Sequence, residues 1–212
     1  MKEIRRARLT DLFYWLPLPL ISLISLCLFS CATIPELQVL YRPAPPLKHL
    51  EGRAVALRVE DKRASKRILG QGAVKEFKGF SGNVSLSVAR ADENESRMGI
   101  FSVPDLMREA FRIRLERLGV KVLSGPARGK PELVIVLREF SLDLEGWQWI
   151  ARMGYEARIV KGGVTLASQS INGQAQRFQS LGRESADLLM GEIFSDSMNA
   201  LNLPRLFTQA GV

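Results

Sequence analysis

Residues 133–178 read LVIVLREFSLDLEGWQWIARMGYEARIVKGGVTLASQSINGQAQRF, and this stretch decides the fold. Residues 133–144 open as an unbroken apolar run and finish in alternation, the pattern of a central strand whose far end emerges toward water. Residues 147–160 and 164–178 flank Lys161-Gly162-Gly163, a hairpin signal because paired glycines supply the positive φ that a tight strand connection needs. Three successive antiparallel strands are therefore predicted.

Working outward, residues 53–60 place Val55, Leu57 and Val59 on one side of a half-buried strand, and Val84, Leu86 and Val88 alternate in the same way. Ser102-Val103-Pro104-Asp105 announces a helix: Ser102 caps it, Pro104 needs no amide partner in the first turn, and Asp105 faces the positive helix end. Met107, Phe111, Leu115 and Leu118 then form one apolar stripe, and Gly119 supplies the stop. Residues 120–123 read as a short strand. A closing helix over residues 183–202 carries Ala186, Leu189, Met190, Ile193, Ala200 and Leu201 on one face, with Pro204 as its terminator. These elements predict an α+β fold, an antiparallel sheet with two helices packed on one face in a two-layer sandwich. The domain is placed at residues 51–204, with residues 205–212 as a C-terminal tail.

Before that domain the chain changes character. Arg5-Arg6-Ala7-Arg8 precedes an apolar stretch over residues 12–30 that closes on Leu28-Phe29-Ser30-Cys31. A basic region, an apolar region and a small residue ahead of cysteine follow the plan of a secretory signal peptide. The form is similar to the lipobox of bacterial lipoprotein signals, which implies a diacylglycerol on the Cys31 sulfur, loss of residues 1–30, and acylation of the new amino terminus, palmitate being a representative chain. An uncleaved membrane anchor and a buried core helix are the competing readings. Pro17 and Pro19 interrupt the apolar run, which disfavours the anchor, and the segment has no polar face, which disfavours the core helix. Residues 31–50, with Pro35, Pro43, Pro45 and Pro46, read as a stiff tether holding the domain off the membrane.

Formal net charge is +8, and it falls to +6 once Lys2, Arg5, Arg6, Arg8, Glu3 and Asp11 leave with the leader. Such a balance suits an anionic neighbour, lipid or protein, while an extracytoplasmic address argues against nucleic acid. Cys27 also lies in the leader, so a lipidated Cys31 leaves no disulfide and the fold rests on its core. His49 is the only histidine and falls in the tether. A serine triad, a cysteine–histidine pair and a histidine-based zinc site thus lack their parts. Gly70-Gln71-Gly72 lacks the strand and helix that a phosphate loop requires. Asp61, Glu76, Asp92 and Glu93 show no catalytic pairing. No catalytic, metal-binding or cofactor-binding residues are expected, and no cofactor.

Two surface features remain. Lys62, Arg63, Lys66 and Arg67 lie in a basic loop that continues to Lys75 and Lys78, suited to anionic headgroups and otherwise a plain solvated loop. Trp147 and Trp149 should share one sheet face beside Phe140 and Tyr155. That pair reads as core beneath the helices, whereas an exposed pair would mark an interfacial or ligand-binding surface.

The strand ending in Asp61-Lys62-Arg63, the helix over residues 106–118 with Gly119-Val120, the strand at 133–137, the hairpin at Gly162-Gly163 and the closing helix at 188–201 together resemble the YajG-type family of bacterial envelope lipoproteins. The likeness spans about residues 51–202. A looser likeness runs to auxiliary lipoproteins of envelope lipid transport and to the plug lipoprotein of lipopolysaccharide assembly. The YajG-type resemblance implies an outer-membrane anchor with the domain facing the periplasm. Ala32, in place of the aspartate that retains enteric lipoproteins at the inner membrane, agrees with that implication. The expected function is a non-catalytic binding or assembly module with an anionic lipid or an envelope protein as partner. The alternative is an accessory subunit of lipid or lipopolysaccharide transport, for which a greasy groove would be diagnostic.

Overall fold

The computed structural model describes residues 36–46, 48–89, 95–180 and 182–212. The leader, the lipobox and Cys31 lie outside the described residues. Among those described, no helix is long and apolar enough to cross a membrane.

The elements run β1 Leu37–Tyr41, β2 Ala54–Asp61, α1 Ala73–Glu76, β3 Val84–Ala89, β4 Glu95–Phe101, α2 Val103–Arg117, β5 Lys121–Leu123, β6 Glu132–Glu145, β7 Gln148–Lys161, β8 Val164–Phe178, α3 Arg183–Ala200 and α4 Leu203–Gln209. They build a five-stranded sheet in the order β5-β2-β6-β7-β8 and a three-stranded sheet in the order β1-β3-β4. The β6–β7–β8 meander is antiparallel, as expected. The rest of the prediction of an antiparallel sheet needs correction. β2 runs parallel to both β5 and β6, and β1 runs parallel to β3. A parallel pair needs a crossover connection, and helix α2 supplies it by returning the chain to the end at which β2 began.

Both long helices lie on the same face of the large sheet. The ring of Phe111 in α2 meets Tyr155 of β7 edge-on at 5.5 Å, and Phe194 in α3 meets Phe140 of β6 at 6.4 Å. Leu133, Ile135 and Leu137 enter this core from β6 and Phe140 and Leu142 continue it. The switch from odd to even positions is made by a bulge between Leu137 and Glu139, which inserts one residue and restores the apolar phase. The opposite face carries ion pairs such as Arg58–Glu132 and Arg158–Glu156.

The predicted tether is corrected at residues 37–41. Leu37, Val39 and Tyr41 are buried, and β1 pairs with β3 while lying along α3. Gly191 permits this approach, since a Cβ there would stand 3.2 Å from the Leu40 nitrogen and oxygen. Ser195 Oγ accepts from Arg42 N at 3.0 Å, and Asp187 Oδ1 accepts from Gln38 N at 2.8 Å. Helix α3 is thus covered on two sides, which explains why Ser185, Ser195 and Ser197 are buried beside its apolar residues.

The predicted tail at residues 205–212 is corrected as well. Asn202 Oδ1 accepts from Arg205 N at 2.9 Å, Pro204 occupies the first turn, and helix α4 buries Leu206 and Phe207. Pro204 therefore starts a helix, the position where its missing amide costs nothing.

Candidate functional site

The basic loop is more structured than a solvated loop. β2 ends on Asp61, whose carboxylate accepts from Arg63 N at 3.1 Å, Arg63 Nε at 3.0 Å and Arg63 Nη2 at 3.0 Å, and pairs with Lys66 Nζ at 2.9 Å. Burial opposes ionisation of Asp61, but these donors outweigh it and hold the carboxyl well below the usual range. Beyond this knot the chain joins β6. Gly70 N donates to Leu142 O at 2.9 Å and Leu142 N to Ile68 O at 2.8 Å, making a one-residue parallel bridge at Leu69.

Asp143 of β6 then anchors α1 from the side. Its Oδ1 accepts from Gly72 N at 3.0 Å, Ala73 N at 3.2 Å and Leu144 N at 2.8 Å. Gly70 and Gly72 make this close approach possible. A Cβ on Gly70 would fall 2.1 Å from Asp143 Cγ, and one on Gly72 would fall 1.9 Å from Leu144 O. With α1 in place, Phe77 is buried edge-on to Trp149 at 6.0 Å and to Phe80 at 6.1 Å, under the guanidinium of Arg183.

The result is a groove of about 630 Å³. Val74 and Phe80 line it over the buried side chains of Ile68, Leu69 and Phe77, and Lys66, Arg67 and Lys78 line it too. An apolar trough edged by cations can take an acyl chain and fix an anionic head beside it. The four residues singled out from sequence divide accordingly. Arg67 is exposed, makes no side-chain ion pair among the described residues, and lines the groove. Lys66 lines it while tied to Asp61. Lys62 is exposed and lies off the groove, and Arg63, at 8% exposure, is held by Asp61. Lys78, at the far end of the predicted basic loop, lines the groove as well, and Val74 and Phe80 are the contributors that the sequence reading did not single out. The Phe77/Phe80 spacing within a basic stretch is the signal that could have found them.

The tryptophan pair also separates. Trp149 is fully buried and its Nε1 donates to Gly182 O at 3.1 Å. Trp147 sits in the β6–β7 turn and is 77% exposed, because the strand begins only at Gln148. Gln148 is paired with Phe178, itself 68% exposed, and Gln179 N donates to Trp147 O at 2.9 Å. Two exposed aromatics therefore occupy the end of the sheet to which α1 and the groove are attached. Among the described residues, no three His, Cys, Asp or Glu side chains are grouped to hold a metal ion.

Comparison with known proteins adds general context. No family model and no curated protein matches the chain, so the YajG-type resemblance finds no support there. Among solved structures, the chain is similar to a Xanthomonas campestris protein of family DUF330, at 13% identity over 84% of this chain and 96% of that one, with a TM-score of 0.49. It is also similar to the rare lipoprotein B of Shewanella oneidensis, at 14% identity over 74% and 97% of the two chains with a TM-score of 0.40. A minor lipoprotein of Acinetobacter baumannii gives 12% identity over 78% and 95%, with a TM-score of 0.40. Bacterial lipoproteins thus stand among the structural neighbours, and at these levels the likeness carries no argument about activity or ligand.

Proposed function

We propose that this chain is a non-catalytic envelope lipoprotein, anchored in the outer membrane through lipid on Cys31 and facing the periplasm, that binds an anionic amphiphile in the groove beside α1. The observation that carries the reading is a groove in which Val74 and Phe80, backed by the buried Ile68, Leu69 and Phe77, share the lining with Lys66, Arg67 and Lys78. Burying an acyl chain there is favoured at about 0.8 kcal/mol per methylene, and the cations select a negatively charged head. The exposed Trp147 and Phe178 favour a second reading, in which the same groove serves an accessory subunit of envelope lipid or lipopolysaccharide transport. Aromatic side chains at one end of a domain suit contact with a membrane or with a lipid-carrying partner.

The test uses the full chain in living cells with a photo-crosslinking residue at Val74, in the groove, or at Val164, in the hairpin at the opposite end of β7 and β8. Lipid adducts at position 74 that are absent at 164, and that fall when Lys66, Arg67 and Lys78 are replaced by Ser, support the reading. Equal adduct yields at both positions overturn it. Intact mass of the native protein tests the anchor separately: a chain beginning at acylated Cys31 is expected, and an unmodified chain beginning at Met1 refutes it.

A further inference from the structure

The buried stripe of α2 contains a residue that does not belong to an apolar row. Leu106, Met107, Ala110, Phe111 and Leu115 face the core, and Arg114 stands among them at 9% exposure. Buried arginines ordinarily rest on carboxylates. Among the described residues Arg114 has none: its Nη2 donates to the main-chain oxygens of Leu201 and, at 3.3 Å, Asn199, while its Nη1 is buried without a partner among them. One turn further, Arg117 forms no ion pair among the described residues, and its Nε is likewise buried and unpartnered. Tyr41 Oη is a third such atom, on a phenol that feels the charge of both guanidiniums. Nearby carboxylates are committed elsewhere, Glu109 and Glu116 to Arg112, Asp105 to Arg108, and Glu51 to Lys48.

Arg114 and Arg117 line a pocket of about 440 Å³ together with His49, Asn199 and Asn202, and among the described residues no acidic one contributes to its walls. Two guanidiniums that both line this pocket and have no carboxylate partner among the described residues suit a doubly charged oxyanion, since such cations bind phosphate through charge-assisted hydrogen bonds. We propose that this pocket is a phosphate site, which holds the phosphate group of a ligand between Arg114 and Arg117. It is distinct from the groove beside α1. Helix α3 starts at Arg183, beside Phe77, and ends at the pocket, so its 18 residues separate the two by roughly 27 Å at 1.5 Å per residue.

Free phosphate and the phosphate of a lipid head share this chemistry, and the experiment distinguishes them. The full chain, purified in non-ionic detergent at pH 7.5, is melted in sodium phosphate, in sodium chloride of equal ionic strength, and in chloride with dihexanoyl phosphatidic acid. Phosphate should raise the melting temperature relative to chloride, because a ligand that binds only the folded state stabilises it. Measured in the Lys66→Ser, Arg67→Ser, Lys78→Ser background, where the groove has lost its cations, stronger stabilisation by the phosphatidic acid at equal concentration assigns a lipid head to this pocket; equal or weaker stabilisation assigns a soluble phosphate. Arg117→Gln should fold normally, since the Arg117 guanidinium forms no hydrogen bond or ion pair among the described residues, and should weaken phosphate binding at least about tenfold. Arg114→Lys, which keeps a charge but loses the fork, should weaken it similarly. The Lys66→Ser, Arg67→Ser, Lys78→Ser triple variant should keep the full phosphate response, which separates this site from the groove. Identical melting in phosphate and chloride would mean that solvent satisfies these donors and would overturn the proposal, as would an undiminished response in Arg117→Gln.

Discussion

Replacing Asp187 by Asn should stabilise the protein near neutral pH and leave it unchanged near pH 4. Asp187 lies in the second turn of α3 and accepts from Gln38 N at 2.8 Å, fastening β1 to the helix. Burial pushes its carboxyl up to about 6, with the Gln38 amide and Arg183 pulling the other way. Because the folded-state value lies above the ordinary 3.8, the native state holds the proton more tightly than the unfolded chain between roughly pH 4 and pH 6. Stability therefore falls as pH rises through that window and stays lowered above it. The gap of about two pH units at about 1.4 kcal/mol each sets an upper bound of about 3 kcal/mol. The side chain retains partial contact with solvent, and screening reduces the expected figure to about 1 kcal/mol. Asn keeps the acceptor and removes the charge. Thermal unfolding from pH 4 to pH 8 should show the two proteins coinciding at the acid end and the variant melting about 2–4 °C higher at pH 7.5. Parallel melting curves across the range, or a variant less stable at pH 7.5, would refute the reasoning.

Three further substitutions, one of them with a control at Gly125, follow from the contacts around the sheet. Asp61→Asn leaves the Arg63 guanidinium buried without its partner and should cost about 3 kcal/mol in urea unfolding at pH 7; since the Asp61 carboxyl is held below its ordinary value, its contribution is present above about pH 4 and lost as pH falls, so the penalty should shrink toward pH 3. Gly72→Ala drives a methyl into Leu144 O and should cost about 2–4 kcal/mol by lifting α1 from Asp143, whereas Gly125→Ala, which meets open space, should stay within about 0.5 kcal/mol by the same assay. Tyr155→Phe strips the donor to Ser197 O at 2.9 Å, and a loss of about 1–2 kcal/mol is expected; an unchanged midpoint would show that this bond contributes nothing net.

The sequence is most readable where a pattern is local. The cap at Ser102, the stripe of α2 and the glycine pair between β7 and β8 each announce themselves within a few residues, and the structure places those elements within about one turn or one rung of the expected bounds. The parallel strands were illegible for the opposite reason. Whether β2 joins β6 head-to-head or head-to-tail depends on the route of the chain between them, and no residue within β2 records it. β1 was hidden by its flanks: five residues of alternation between prolines look like tether until α3 is placed against them. The bulge in β6 did leave a trace. Leu133, Ile135 and Leu137 alternate, then the next apolar residue is Phe140, a step of three that resets the phase. At the groove, the cations were visible as composition, but which of them face a ligand depended on Asp61 claiming Arg63 and on Asp143 drawing α1 onto the sheet. The buried Arg114 continues the four-residue spacing of Leu106 and Ala110, so its place on the inner face was written in the helix period even though its chemistry contradicts that face.

The incorporation of β1 into the core changes what an anchor at Cys31 would mean. Only five residues separate Cys31 from Leu37, the first paired residue of the strand, and even fully extended that connection reaches roughly 20 Å. A lipidated chain would then ride on a leash shorter than a typical domain is wide. Its encounters would be confined to a thin layer beside the bilayer, so that any ligand or partner would have to come to the membrane surface to be met.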